Sequence, residues 1–331
     1  MNFQRRMLAA MLFAACLFPL RAQQQTLTPE NRLISLRHQL SESPIVKQQR
    51  KILDEMAETG TFVAMTTLGK SLDSPDLRKV AAKGIATIAL AHPDYDGYLT
   101  RHLLARSLPF LSGKQRKEVL TFLAQPPVEG FVSHFNGRDL TGWKGLVENP
   151  IEREQMTPLQ LAEKQLVADQ RMRDDWKVED GLLAYIGTGY DNICTVEQYG
   201  DFEMLVDWRL DPNGKEPDAG IYLRGTPQVQ IWDIARTNVG AQVGSGGLYN
   251  NQKNKSIPNC VADNKLGEWN SFYIRMVGNL VTVRLNGILV VDNVPLENYW
   301  DRKRPIFPVE QIELQAHGSK VYYRDIYIKR L

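Results

Sequence analysis

Asp218-Ala-Gly-Ile-Tyr-Leu-Arg224 and, after three residues, Gln228-Val-Gln-Ile-Trp-Asp233 decide the reading of this chain. In an extended strand alternate side chains point to opposite faces. Ile221 and Leu223 therefore oppose Tyr222 and Arg224, and Val229 and Ile231 oppose Gln228, Gln230 and Trp232. The same split recurs on both sides. In Phe202 to Leu210, Phe202, Met204, Val206 and Trp208 oppose Glu203, Asp207 and Arg209; in Ile312 to His317, Ile312, Leu314 and Ala316 oppose Glu313, Gln315 and His317. Further strands are expected at Ser271 to Val277, Leu280 to Leu285, Ile288 to Asp292 and Val321 to Lys329. Asn286-Gly287, between two alternating runs, predicts a two-residue hairpin whose central positions both need positive φ. Short β-rich runs broken by Gly, Asn and Asp at intervals of roughly ten residues predict a sandwich or jelly roll from Val128 to Leu331. The run from Pro150 to Arg173 breaks this texture and reads as a helical insertion capped by Thr157, with Pro158 in its first turn.

Residues 26–125 carry helical spacing instead, such as Leu33, Leu36 and Leu40, or Ile52, Leu53 and Met56. Ser74-Pro75-Asp76 is expected to open a helix whose buried stripe is Leu77, Val80, Ala81, Ile85, Ile88 and Ala89, ending at His92-Pro93. The fold class is thus mainly β, a jelly-roll β-sandwich preceded by a small all-α, HEAT-like domain whose role reads as packing or docking of a protein partner. Pro126-Pro127 marks the boundary. Residues 1–22 read as a secretory signal, with Arg5 and Arg6 ahead of an apolar Met7 to Leu20, which predicts export, most simply to a periplasm. The apolar run is shorter than the ~20 residues of a membrane span. A lipidated Cys16 ranks behind simple export because Phe13 suits a lipobox poorly.

The 331 residues hold 40 Lys and Arg against 38 Asp and Glu, without a basic stripe interleaved with aromatics, so nucleic acid is not an expected partner. After the signal, Cys194 and Cys260 remain, as a pair or as separate buried thiols. The polar strand faces repeat Gln, Arg, Trp, Tyr and His, residues that stack on sugar rings and hydrogen-bond hydroxyls, and this predicts a cleft for a neutral, polar, ring-shaped molecule. In the loop Gly244 to Lys255, Tyr249, Asn250, Asn251, Lys253 and Asn254 offer donors beside glycines; a ligand loop and a surface hairpin both fit. Trp269 reads as a core anchor. His317, at a strand end, fits a structural or a catalytic role.

Phe135-Asn-Gly-Arg-Asp-Leu-Thr-Gly-Trp143, Trp176-Lys-Val-Glu-Asp-Gly181, Tyr199-Gly-Asp-Phe202, the two stretches quoted first, Gly267-Glu-Trp-Asn270 and Ile312-Glu-Leu-Gln-Ala-His-Gly318 together resemble the 3-keto-disaccharide hydrolase family. The family is also described as 3-keto-glucoside lyases and hydratases. The resemblance implies a concanavalin-like jelly roll and leaves the helical part uncovered. Two positions depart from the family pattern: Gln228 replaces a Glu, and Asp218-Ala219 stands where Asn-Ser is frequent. A carboxylate has thus left one position and appeared at another.

The implied substrate is an oligosaccharide or glycoside oxidised to a ketone at C3, which acidifies the C2 hydrogen and permits elimination of the C1 group followed by rehydration. On this reading His317 or Asp218 is the base, Arg224 and Lys253 hold the enolate, and Glu313 is the acid or orients His317. Asp207, Tyr222, Gln228, Gln230, Trp232, Tyr249, Asn251 and Gln315 are the expected substrate-binding residues. No cofactor is demanded, although Asp207, Asp218, Glu313 and His317 would suit one divalent ion. A carbohydrate-binding module without turnover is the alternative. A retaining glycosidase fits less well, since no Glu-x-Asp-x-x-Glu strand motif is present.

Overall fold

The computed structural model describes residues 27–331; the expected signal and Cys16 lie outside the described residues. Six helices come first: α1 (Pro29–Glu42), α2 (Val46–Glu58), α3 (Phe62–Gly69), α4 (Arg78–Ala91), α5 (Tyr98–Ser107) and α6 (Gly113–Leu123). They are followed by β1 (Val132–Ser133), β2 (Trp143–Gly145), α7 (Pro150–Glu154), α8 (Pro158–Asp175), β3 (Trp176–Glu179), β4 (Leu182–Tyr185), β5 (Ile193–Thr195) and β6 (Phe202–Leu210). The chain continues through β7 (Asp218–Leu223), β8 (Thr226–Trp232), β9 (Asn270–Val277), β10 (Leu280–Leu285), β11 (Ile288–Pro295), β12 (Glu313–Leu314) and β13 (Val321–Arg330). Among the described residues no helix is long and apolar enough to cross a membrane.

Two antiparallel sheets pack face to face. The larger runs β11-β10-β9-β6-β13-β4-β3 with β1 beside β13, and the smaller runs β2-β5-β12-β7-β8. Alternation builds the core between them: Phe202, Met204, Val206 and Trp208 from β6 meet Ile221 and Leu223 from β7 and Val229 and Ile231 from β8. The Asn286-Gly287 hairpin forms as expected, with φ of 52° and 81°. Its Asn286 side chain is buried and donates to Ala262 O and Asn270 Oδ1 at 2.8 and 2.7 Å.

The insertion divides into α7 and α8. Thr157 and Gln160 form a reciprocal capping box at the start of α8, satisfying two otherwise orphaned donors. The α8 backbone comes so close to Gly145 that a Cβ there would stand 2.1 Å from Ala168 O, so this helix seals the β2 edge. One helix start differs from expectation. Ser74 closes a preceding 3-10 turn, and its carbonyl accepts from Leu77 N and Arg78 N, which delays α4 to Arg78.

The helical region covers the outer face of the larger sheet. Phe62 packs its ring 4.9 Å from Phe131 and 5.2 Å from Tyr327, and the Tyr327 hydroxyl donates to Thr66 at 3.0 Å. Beside this apolar contact Arg37 bridges Asp325 at 2.5 Å and Asp207 at 3.3 Å, while Arg324 reaches Asp207 at 3.0 Å. Trp269 is no core anchor either. It lies half-buried on the same outer face, with the Arg324 guanidinium 3.9 Å and that of Arg209 5.0 Å from its ring centre.

Candidate functional site

The smaller sheet has its apolar side in the core, so its other side gathers the polar residues. Cross-strand pairing fixes their order. Lys144 pairs with Cys194, Cys194 with Glu313, and Glu313 with Tyr222, giving one row across β2, β5, β12 and β7. Further along, Gly220 pairs with Gln230 and Asp218 with Trp232. Gln315 donates its backbone N–H to Gly220 at 2.9 Å. A Cβ on Gly220 would stand 2.9 Å from the side chains of Gln228 and Gln315, so glycine lets those two amides meet across the strand.

A connected network results. Gln230 donates to Asp218 Oδ1 at 2.8 Å, Gln228 donates to Gln230 Oε1, and Gln228 donates to Gln315 Oε1 at 3.1 Å. The other oxygen of Asp218 lies 3.4 Å from Arg236 Nη1 and 3.9 Å from His317 Nδ1. Burial pushes the Asp218 carboxyl up, opposed by His317, Gln230 and Arg236. Glu313 is only 1% exposed. Burial pushes its carboxyl up to about 8, with Arg153 pulling it down and Glu310 adding to the rise, so at neutral pH it carries a proton. Its Oε2 has no hydrogen-bond partner. Burial, with Glu313 beside it, raises the Tyr222 phenol above the usual range, opposed by Asn192 and Gln315. The half-exposed rim is formed by His317, whose ring meets Tyr190 edge-on at 5.2 Å. Trp232 similarly meets the exposed Tyr249 at 5.3 Å.

Asp218, Tyr222, Gln228, Gln230, Trp232, Glu313, Gln315 and His317 therefore share one face, with Tyr249 at its margin. Four other expected site residues do not join them. Asp207 lies on β6 of the opposite sheet, beneath the helical region and paired with Arg37 and Arg324, because alternation cannot tell the outer face of one sheet from that of the other. Arg224 occupies the turn of the β7–β8 hairpin, six residues from Asp218 and so about 20 Å along the strand; it donates to Pro308 O at 3.0 Å. Asn251 is spent on structural bonds, donating to Lys255 O in its own loop and to Pro295 O at the end of β11 and accepting from Glu297 N. Lys253 is exposed, and its backbone N–H is held by Glu297.

The loop from Gly244 is anchored rather than free: Gly246 N donates to Gln230 O at 2.7 Å, Gln230 N returns to Gly247 O, and Leu248 bridges Val229. Without Asp207 the four-residue metal cluster is not assembled, and among the described residues no three His, Cys, Asp or Glu gather closely enough to hold an ion. Cys194 is buried and Cys260 exposed, both unpaired. Burial, with Glu313 beside it, pushes the Cys194 thiol up to about 12, which leaves it unreactive.

Asn192, Tyr190, Arg236, Lys144 and Cys194 complete the surroundings; the sequence marked Cys194 only as a thiol and the other four not at all. Asn192, Tyr190 and Arg236 stand in loops at strand ends, where no alternation marks them. Lys144 and Cys194 sit in strands of three residues, too short for a pattern.

The 3-keto-alpha-glucoside-1,2-lyase-like domain model matches residues 130–329, nearly the whole sandwich. The chain belongs to this family. The lyase-like domain is a carbohydrate-active unit, here joined to the helical region α1 to α6. Among solved structures, a protein of Parabacteroides distasonis to which a glycosyl hydrolase activity is ascribed is 24% identical, with 61% of this chain and 94% of that chain covered and a TM-score of 0.43. A second such protein from that organism is 22% identical, covering 48% and 91%, with a TM-score of 0.39. The carbohydrate-binding module CBM66 of Bacillus subtilis is 10% identical, covering 57% and 96%, with a TM-score of 0.35. No curated protein matches this lyase-like chain.

Proposed function

We propose that the protein is an exported enzyme that cleaves 3-keto-glycosides by elimination and rehydration on the polar face of the smaller sheet. The observation that carries this reading is the run Glu313, Gln315, His317: three successive outward positions, with a neutral carboxylic acid at one end and an imidazole backed by Asp218 at the other. Only Glu313 and Leu314 belong to β12, and four residues of extended chain separate the two backbones by at most about 13 Å.

His317, with Asp218 behind it, removes the C2 proton, and the electron pair delocalises onto the C3 carbonyl oxygen. Gln315 stands between acid and base, Tyr222 stands beside the acid, and both supply donors for that oxygen. Arg224 and Lys253 are outside the Asp218–Glu313 network. The enolate then expels the C1 substituent: the C1–O bond breaks, its electrons stay on the departing oxygen, and Glu313 gives that oxygen a proton. The product is an unsaturated 3-keto sugar. Water adds to it at C1 and a proton returns to C2, giving the free keto sugar. Tyr249 offers an exposed ring on which a sugar stacks, braced by the buried Trp232.

The test is incubation of the purified protein, in deuterated water, with a 3-keto-glucoside and with the same glucoside unoxidised. Aglycone release and deuterium at C2 are expected from the ketone alone. Binding without release would make the protein a sugar-binding module, and release without exchange would remove the elimination step.

A further inference from the structure

Beyond Glu313, on the side away from His317, the α7–α8 insertion roofs a cavity of about 520 Å³, within the range of small-molecule sites. Its position is fixed by two independent directions. Along the chain, Glu310 and Gln311 line it, then comes Glu313, then Gln315 and His317. Across the sheet, Lys144 and Cys194 line it and belong to the row that continues through Glu313 to Tyr222. The buried acid therefore stands at the junction between this cavity and the sugar face.

The lining has a definite chemistry. Leu146, Val147, Pro150, Leu161 and Val196 supply aliphatic surface. Lys144 and Arg153 are balanced by Glu154 and Glu310, and Arg153 is locked to Glu310 at 2.9 Å and to Gln311 at 3.1 Å. A charged group gains nothing from this balance. The lining includes no aromatic ring, the platform on which a second sugar would stack. What remains is room for a neutral group that lays apolar surface on the aliphatic residues and offers hydrogen-bonding substituents to the Gln165, Gln198 and Gln311 amides.

We infer that the cavity beneath the α7–α8 insertion is the leaving-group subsite and takes a neutral aryl aglycone, so that the C1 oxygen lies against Glu313. This assignment rests on the elimination reading above. The insertion, rather than the shared sheet, then sets which glycosides are cleaved.

The experiment compares kcat/KM for phenyl and methyl 3-keto-glucosides in the wild type and in Val196→Trp, which fills the cavity from an exposed position. Gln198→Trp, at another exposed lining residue, is a second variant should the first fail to fold by its thermal melt. Taking the ratio within each protein cancels the better intrinsic departure of phenol. The phenyl-to-methyl ratio is expected to fall about tenfold or more in the filled variants, and phenol alone to inhibit the wild type more strongly than either variant. An unchanged ratio with both substrates still cleaved would overturn the subsite and leave the activity standing. Failure of the wild type to cleave either substrate would overturn the activity, and the subsite with it.

Discussion

Replacing Glu313 by Gln is expected to make the protein more stable and less active, by amounts that depend on pH. The carboxyl is held at about 8 in the folded chain against an ordinary value of 4.5. Because the folded value is the higher one, the unfolded chain gives up a proton that the folded protein keeps at any pH between these values. Stability is untouched well below pH 4.5, falls as pH rises, and reaches its full loss above about pH 8. At about 1.4 kcal/mol per unit, the interval from 4.5 to about 8 corresponds to a total loss of about 5 kcal/mol. About 1 kcal/mol of it is already lost at pH 5, so about 4 kcal/mol separates pH 5 from pH 8.5; local relaxation makes this an upper bound. Gln carries no titrating proton, and Glu313→Gln escapes the trend. Urea unfolding of both proteins at the two pH values reads the difference directly. The advantage of the variant should widen by several kcal/mol at the higher pH, while aglycone release from a 3-keto-glucoside falls about 100-fold or more. A stability difference of equal size at pH 5 and pH 8.5 would refute the reasoning, since Glu313 would then not be a protonated acid.

Asp218→Asn keeps the bond from Gln230 but removes the negative charge behind His317; deuterium exchange at C2 should drop about 100-fold, whereas Glu313→Gln should retain exchange and lose release. Parallel loss of both readouts in both variants would dissolve the division into base and acid. Aglycone release by the wild type should decline as pH rises through about 8, where Glu313 loses its proton; a flat profile to pH 9.5 would count against Glu313 as the donor. Arg37→Ala leaves Arg324 alone to compensate Asp207 beneath the helices, and Arg324 with Lys70 to compensate Asp325, and should cost about 3 kcal/mol, read as a lower urea midpoint and faster proteolysis of α1. Glu297 is held at about 2, because N–H groups of Asn254, Gln252 and Lys253 outweigh its burial; Glu297→Ala should speed hydrogen exchange at those amides about tenfold or more, with no change at β9.

Alternation made most of the sandwich legible, because a residue's side of the strand is a local property. β6 and β10 run from Phe202 to Leu210 and from Leu280 to Leu285, as their patterns indicate, and the Thr157 cap starts α8 where its chemistry requires. What alternation cannot encode is which sheet a strand joins. Asp207 and Asp218 look equivalent in the sequence, yet one is covered by Arg37 and the other faces the site. That difference depends on contacts such as Arg37 with Asp325, 288 residues apart. Asn251 illustrates a second limit. Its donors suggested ligand contact, but a turn that holds itself together uses the same groups. The proton on Glu313 is a third case, since a carboxylate in a strand becomes an acid only when neighbouring strands close over it.

The strand β13 follows every other in sequence and yet stands in the interior of the larger sheet, between β6 and β4, while its Tyr327 also belongs to the apolar cluster of the helical region. A chain emerging from its N-terminus can form helices and hairpins early, but a gap stays open in the sheet and a hole in the helical core until this segment arrives. Final assembly of both regions is thereby deferred to one late event.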